Sequence, residues 1–240
     1  MLSITPLPIL SDNYAYLLHC PDTGVVGMVD PAEEAPCIAA IEAAGGKLDV
    51  ILLTHHHGDH IAAAEALRAK YGAKIVGAKA DAYRLPALDQ AVVEGDSVTV
   101  GGSTAQVIDT PGHTRGHIAY FFPEEAALIC GDTLFSLGCG RFLEGTAEDM
   151  FASLAKFAAL PPQTLVCCGH EYTESNARFA LHADPHNAAL AAFAAQVFAL
   201  RAAGKPTVPS RLSDELACNP FLRAPDAASL GRLREAKNKF

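Results

Sequence analysis

The chain has 240 residues, a net charge of -9, a pI near 5.5 and a hydrophobic content of 50%. This length suffices for one sizeable domain, or for one domain with a small appendage. Its longest apolar runs fall far short of the roughly 20 residues that cross a membrane. The N-terminus lacks the basic region and long apolar core of a secretory signal, and the acidic balance argues against a nucleic-acid surface. We therefore expect a protein with neither membranes nor nucleic acids as partners.

The seven cysteines are irregularly spaced and form no CxxC motif. An odd number without such a motif fits reduced thiols better than a disulfide framework or a zinc ribbon, so we expect a cytoplasmic location. Adjacent Cys167 and Cys168 resemble a redox pair, but apolar filling of a buried strand is the better interpretation.

The first third of the chain predicts a strand hairpin, a helix and then a strand that runs into a polar loop. Tyr14–Leu18 and 25–30 flank a Pro-Asp-Thr-Gly turn, which indicates the hairpin. Residues 33–44 are rich in alanine and stop at two glycines, as a helix does. Residues 50–53 read as a buried strand, and a helical pattern runs from Ile61 to Gly72.

The remaining pattern predicts further strands and then helices alone. Strands are expected over 73–77, 97–100, 104–109, 118–122, 126–130 and 164–168, with a helix over 146–160. After His170 we expect helices over 173–183, 187–203, 210–217 and 226–238. The chain is therefore predicted to comprise a first domain over 1–170 and a smaller helical domain over 171–240.

The loop after the third predicted strand carries four histidines and an aspartate within six residues. His55 and His57 lie two apart in extended chain, so both side chains point the same way and His56 points away. Asp59 and His60 enter from the first helical turn, where a carboxylate is electrostatically favoured. Imidazole and carboxylate together suit zinc, iron or manganese. Two ligand pairs in two directions suit two adjacent metals better than one. The strand before this run and the helix after it favour a metal site over a solvated histidine-rich loop.

Three more potential ligands follow apolar runs, namely His113, Asp132 and His170. Ligands that follow the carboxyl ends of strands lie where open α/β sheets build their sites. A hydrogen-bonded structural role explains any one of them equally well, but together they indicate a metal centre. We expect His117 to support this centre without binding metal, whereas His19, His182 and His186 lack such a context and are expected at the surface.

The motif Thr54-His55-His56-His57-Gly58-Asp59-His60 resembles the THxHxDH signature of the metallo-β-lactamase superfamily. The resemblance extends over nearly the whole chain to the glyoxalase II (hydroxyacylglutathione hydrolase) family within it. It rests on segments 11–14, 131–135, 138–142, 144–146, 168–173 and 219–221, and on the terminal Arg234-x-x-Lys237. The resemblance implies a four-layer αββα sandwich followed by a C-terminal all-helical domain.

The resemblance also implies the roles of particular residues. One divalent metal would take His55, His57 and His113, the other Asp59, His60 and His170, and Asp132 would bridge them. The metals would be zinc, or alternatively iron or manganese. Glutathione would contact Arg141, Tyr172, Arg234 and Lys237. Some relatives have tyrosine where this chain has Leu143, so one hydrogen bond to glutathione is in question. The implied reaction is hydrolysis of S-lactoylglutathione to glutathione and D-lactate by hydroxide held at the metals, with Asp59 and Asp132 as catalytic residues.

Other interpretations stay open at this stage. A lactonase and a persulfide dioxygenase share the implied fold, although the dioxygenase uses a single iron and lacks the full second ligand set. A non-catalytic metal-binding module and a nuclease are further alternatives. We expect a monomer that takes a small glutathione thioester as its partner.

Overall fold

The computed structural model describes all 240 residues, in which two six-stranded sheets pack face to face. The first sheet has its strands in chain order, and its last four are parallel. They are β1 (Ser3–Ile9), β2 (Asn13–Cys20), β3 (Val25–Val29), β4 (Val50–Leu52), β5 (Lys74–Ala78) and β6 (Gln90–Val92).

The second sheet has the order β14-β13-β10-β9-β8-β7, and only β10 and β13 are parallel. Its strands are β7 (Ser97–Val100), β8 (Ser103–Asp109), β9 (Ile118–Phe122), β10 (Ala127–Gly131), β13 (Leu165–Cys168) and β14 (Ser210–Arg211). A small separate hairpin, β11 (Leu134–Phe135) and β12 (Gly138–Cys139), follows β10.

The chain also forms eight α-helices. They are α1 (Glu34–Ala43), α2 (Gly58–Ile61), α3 (Ala64–Tyr71), α4 (Ala147–Ala158), α5 (Thr173–Ala183), α6 (Ala188–Ala202), α7 (Leu212–Cys218) and α8 (Ala227–Lys239). Leu52 of β4 lies in the core between the sheets, whereas its neighbour Ile51 packs with Ile41 of α1 and Leu67 of α3. Burial of each such side chain contributes about 1.5–3 kcal/mol. Because β4 is covered on both faces, its sequence is a continuous apolar run.

On the second sheet, α4 packs Met150, Leu154 and Phe157 into the main core. It begins at a capping box, in which Thr146 Oγ1 accepts from Asp149 N at 3.2 Å and Asp149 Oδ2 accepts from Thr146 N at 2.8 Å. The predicted αββα sandwich with a helical C-terminal part is confirmed.

The C-terminal helices have an apolar core of their own, which includes Ala180 of α5, Leu190 of α6 and Cys218 of α7. The buried Asn219 joins them to the β11–β12 hairpin, because its amide donates to the carbonyls of Phe135 at 3.1 Å and Gly138 at 3.0 Å. This contact fixes the segment that leads to Arg141. The boundary at residue 170 stays a prediction.

Five strands and one helix break differ from the sequence prediction. Strands β1, β6, β11, β12 and β14 were not predicted, and β14 lies within the segment predicted as helix over 210–217. The helix expected from Ile61 is split at Ala62 and Ala63, where the Ala63 amide donates to the Pro31 carbonyl at 3.1 Å. None of the helices is both long and apolar enough to cross a membrane.

Candidate metal centre and adjoining cavity

Four loops that follow strands meet at one edge of the sandwich. They follow β4, β8, β10 and β13, and they carry the seven potential ligands predicted from the sequence. Backbone hydrogen bonds tie the loops together, from Ile118 N to Thr54 O at 2.9 Å and from Gly169 N to Gly131 O at 2.8 Å. Residue 169 must be glycine, because a Cβ there would lie 2.5 Å from an oxygen of Asp132.

The first group of potential ligands comprises His55, His57 and His113. Nδ1 of His57 lies 3.1 Å from Nε2 of His55 and 3.0 Å from Nε2 of His113. All three nitrogens are within 4.8 Å of one another. Burial, together with neighbouring imidazoles, lowers the pKa of His55 well below its usual value, and burial lowers the pKa of His57 and His113. The three imidazole rings are therefore neutral, the form in which a ring nitrogen can bind a cation.

Nδ1 of His55 and Nδ1 of His113 each donate a hydrogen bond, so Nε2 of each ring, which faces His57, carries a free lone pair. His113 Nδ1 donates to the carbonyl of Arg141 at 2.9 Å. The Thr54 hydroxyl donates to Asp30 at 2.6 Å and accepts from His55 Nδ1 at 3.0 Å. One proton on His57 can satisfy only one of the two facing lone pairs at full strength, whereas a cation satisfies all three nitrogens.

The second group comprises Asp59, His60 and His170, whose ligand atoms also lie within 4.8 Å of one another. His60 Nδ1 donates to Asp30 Oδ2 at 3.0 Å, and His170 Nδ1 donates to Asp12 Oδ1 at 3.0 Å. Nε2 of His60 is buried without a hydrogen-bond partner. A buried polar atom of this kind is costly unless something binds it.

Asp132 lies between the two groups and is only 6% exposed. Its Oδ1 is 3.4 Å from His60 Nε2, and its Oδ2 is 3.5 Å from His113 Nε2 and 3.3 Å from His170 Nε2. Burial disfavours its charge, but His60, His170 and His113 outweigh burial and lower the pKa of Asp132. The first group consists of three histidines, and the second of two histidines and an aspartate. Joined by the Asp132 carboxylate, the two groups are able to hold a pair of metal ions.

His117 uses both ring nitrogens within the protein, as the sequence predicted for a supporting residue. Its Nε2 accepts from the backbone N of Asp132 at 3.1 Å, and its Nδ1 faces the Thr110 hydroxyl at 2.9 Å. It therefore fixes the backbone of Asp132 without joining either group. The ring of His56 also lies outside both groups, since it faces Asp81 and Glu144.

A cavity of about 450 Å³ opens beside the centre, with His113 and Asp132 in its wall. Its lining includes all four residues expected to contact glutathione, namely Arg141, Tyr172, Arg234 and Lys237. Tyr172 stacks on His170 with ring centroids 4.5 Å apart and an interplanar angle of 7°. The cavity therefore joins the metal-ligand groups to a cationic wall.

The cationic side chains are held by backbone carbonyls of the cavity wall. Arg234 donates to the Cys139 carbonyl at 2.7 Å, and Lys237 donates to the Ser175 carbonyl at 2.8 Å. Burial lowers the pKa of Arg234, and burial together with Arg234 lowers the pKa of Lys237 to about 8. An anionic ligand would offset this cost, because it would restore a counter-charge.

The sequence assigned no role to three residues that position the potential ligands, although Asp12 and Asn13 lie in segment 11–14, which carries the family resemblance. Asp30 holds His60 directly and His55 through Thr54, while Asp12 holds His170. Asn13 donates to the Asp59 carboxylate at 3.0 Å. The available signal for Asp30 was its position at the end of β3, next to the ligand-bearing β4.

Comparison with known proteins places this architecture in one class. Residues 13–170 match the family model described as "Metallo-beta-lactamase superfamily", and residues 171–240 match "Hydroxyacylglutathione hydrolase C-terminus". The crystal structure of ETHE1 from Myxococcus xanthus superposes with a TM-score of 0.73 at 25% identity, over 99% of this chain and 91% of that one. The crystal structure of TTHA1623 in a di-iron-bound form gives 0.60 at 28% identity, over 69% and 91%.

A curated relative specifies the family within this class. The hydroxyacylglutathione hydrolase of Acidiphilium cryptum is 59% identical over 99% of this chain and 97% of its own length. The chain therefore belongs to the hydroxyacylglutathione hydrolase family of the metallo-β-lactamase superfamily.

Proposed function

We propose that this protein hydrolyses the thioester of S-2-hydroxyacylglutathiones, with S-lactoylglutathione giving glutathione and D-lactate. The observation that carries the proposal is a single cavity whose wall combines His113 and the bridging Asp132 with three cationic side chains. Curated relatives bear the name of this activity. A thioester carbonyl near Asp132 and carboxylates near Arg234 and Lys237 would occupy the two ends of that cavity.

Under this proposal, His55, His57 and His113 hold one divalent cation, Asp59, His60 and His170 hold the other, and Asp132 contributes to both. Zinc is the favoured metal, since it accepts imidazole and carboxylate donors; iron and manganese fit the same donors. A di-iron form of a structural relative supports a binuclear centre. When bound, such cations supply Lewis acidity, which activates water and polarises a carbonyl.

The remaining steps fall to the side chains of the cavity. Arg141, Arg234 and Lys237 bind the carboxylates of glutathione, because charge-assisted hydrogen bonds combine strength with direction. Asp59, held by Asn13, accepts a hydrogen bond from the attacking water and orients it. The glutathione thiolate leaves without an acid, since thiol pKa values lie near 8.5. Leu143 is 58% exposed and supplies no hydroxyl for the peptide.

Several narrower predictions belong to the same proposal. We propose a domain boundary at residue 170, with the helical part contributing Tyr172, Arg234 and Lys237 to the cavity. The seven cysteines are buried and free, which supports a reducing compartment, the cytoplasm. We also propose a monomer whose partner is a small thioester, with no nucleic acid bound.

The direct test is release of free thiol from S-lactoylglutathione by protein of known metal content. We expect turnover that disappears when a chelator removes the cations and returns when zinc is restored. Thiol release that persists in verified metal-free protein would contradict the metal role. Protein with both cations but no thioesterase activity would contradict the proposed function.

The second ligand group distinguishes this function from that of a single-iron persulfide dioxygenase on the same fold. Asp59, His60 and His170 are all present and converge within 4.8 Å. A persulfide assay on a separate, iron-loaded sample of the protein provides the comparison, and we expect no sulfite.

The depressed pKa of Lys237 predicts a pH dependence of kcat/KM. The free enzyme loses the Lys237 charge as pH rises through about 8, so kcat/KM falls above this pH while kcat is retained once substrate is bound. Loss of the charge-assisted bond should cost about 10- to 100-fold in KM. Lys237→Arg should move the decline to higher pH, and Lys237→Met should have the low value throughout.

Lys239→Met is the matched control, since Lys239 is exposed on the same helix α8. It should leave both KM and the pH profile unchanged. An identical alkaline decline in Lys237→Met would refute the assignment to Lys237.

A further inference from the structure

A group of four charged or titratable side chains, here termed the loop brace, lies beside the first ligand group. It comprises His56, Asp81, Arg84 and Glu144. Arg84 donates to Glu144 through Nη1 at 2.6 Å and Nη2 at 2.7 Å, and through Nε to Asp81 Oδ1 at 3.0 Å. His56 lies 3.4 Å from Asp81 Oδ2 and 3.7 Å from Glu144 Oε1. His56, which lies between His55 and His57 in the sequence, thus faces the carboxylates of both Asp81 and Glu144.

Glu144 also contacts the loop that carries His113. Its backbone N donates to the His113 carbonyl at 3.3 Å, and its Oε2 accepts from the Arg115 backbone N at 2.8 Å. The hydrogen bond to Arg84 lowers the pKa of Glu144 to about 2. A fork-shaped pair of this kind constrains orientation as well as distance.

Asp81 fixes the other side of the brace. It is 1% exposed, and its carboxylate lies so close to Gly116 that a Cβ there would be 2.2 Å from Asp81 Cγ. The loop of His113 to Gly116 therefore packs directly on Asp81. Two carboxylates and one guanidinium span the gap between the His55–His57 loop and the His113 loop.

We infer that Arg84 and Glu144 are positioning residues that set the cation affinity of the first group, His55, His57 and His113, without contacting the cation. All three imidazoles come from the two loops that the brace joins. The second group is held by a different set of partners, Asp12, Asn13 and Asp30. Loosening the brace therefore weakens one group and spares the other.

The test is calorimetric zinc titration of metal-free Arg84→Met and Glu144→Gln protein. Because residues behind metal ligands change affinity by roughly 10- to 100-fold, we expect that loss for one of the two cations and less than about threefold for the other. Glu144→Gln keeps the side-chain shape, so it remains informative if Arg84→Met fails to fold. Equal loss at both sites, or no loss at either, would overturn the inference.

Two further variants establish which group is affected. Arg68→Met breaks a comparable ion pair, with Asp89 at 2.5 Å, remote from the centre, and should leave both affinities unchanged. In a His113→Ala background, which already lacks the first group, Glu144→Gln should produce no further loss. A further loss there would refute selectivity for the first group. The inference uses the proposed ligand groups, but its readout is cation binding, so failure of the thioesterase assay would leave it standing.

Discussion

Asp132→Asn is expected to lower kcat by about a thousandfold or more and to reduce the cations bound per chain from two to one or fewer. The carboxylate oxygens face His60 on one side and His113 and His170 on the other, at 3.3–3.5 Å. Asparagine keeps the shape but turns an NH₂ group toward one ligand set. It also removes the negative charge of Asp132. Two opposite unit charges about 4 Å apart attract each other by roughly 4 kcal/mol at an effective dielectric constant of about 20. That loss corresponds to about three decades in rate.

Metal content and turnover must be measured on the same samples to test this prediction. Asp109→Asn is the control, because Asp109 is a partly buried carboxylate that faces Glu94 and Lys156 instead of the histidines. It should retain both cations and the full rate. Metal-free Asp132→Asn should unfold at a lower temperature than the parent chain, since the buried histidines that lower the pKa of Asp132 stabilise its charged form in the folded state. Full metal content with a normal rate in Asp132→Asn would remove Asp132 from the mechanism.

The strands were predictable where burial on one or both faces produces a strong pattern. The continuous run of β4 and the hairpin of β2 and β3 follow directly from apolar periodicity and turn residues. Strand β1 was not predicted because Pro6 and Pro8 argue against a strand. An edge strand tolerates proline at positions where the backbone nitrogen need not donate a hydrogen bond to a neighbouring strand. Strands β6 and β14 contain only three and two residues, too few for periodicity.

The seven potential ligands could be singled out from the sequence for a physical reason. Each follows the carboxyl end of a strand or its loop, and histidine is uncommon enough there to stand out, as at His113 and His170. The residues that orient them are ordinary by comparison. An aspartate before a proline, such as Asp30, reads as a turn, and the distant Arg84 and Glu144 meet only because the loops converge. Contacts between residues that are distant in the sequence can be identified only once the fold is known.

Asp30→Ala is expected to destabilise the metal-free fold by about 3–5 kcal/mol and to weaken both cations by roughly 10- to 100-fold. Asp30 accepts from Thr54 N at 2.8 Å, Thr54 Oγ1 at 2.6 Å and His60 Nδ1 at 3.0 Å. Because Thr54 in turn orients His55, one carboxylate fixes a ligand in each group. Its φ of +49° also suits aspartate or asparagine better than alanine.

Asp49→Ala provides the matched control for Asp30→Ala, since Asp49 immediately precedes β4, the strand beside β3. Asp49 accepts from the backbone N of Val26 at 2.8 Å, at the end of the sheet away from the ligands. It should lower the unfolding temperature while leaving zinc affinity unchanged, which separates damage to the sheet from damage to the centre. Asp30→Asn should recover much of the stability but little of the affinity, since its amide oxygen can serve Thr54 N but not both remaining donors. Retention of tight zinc binding at both groups in Asp30→Ala would show that the imidazoles are oriented by other contacts.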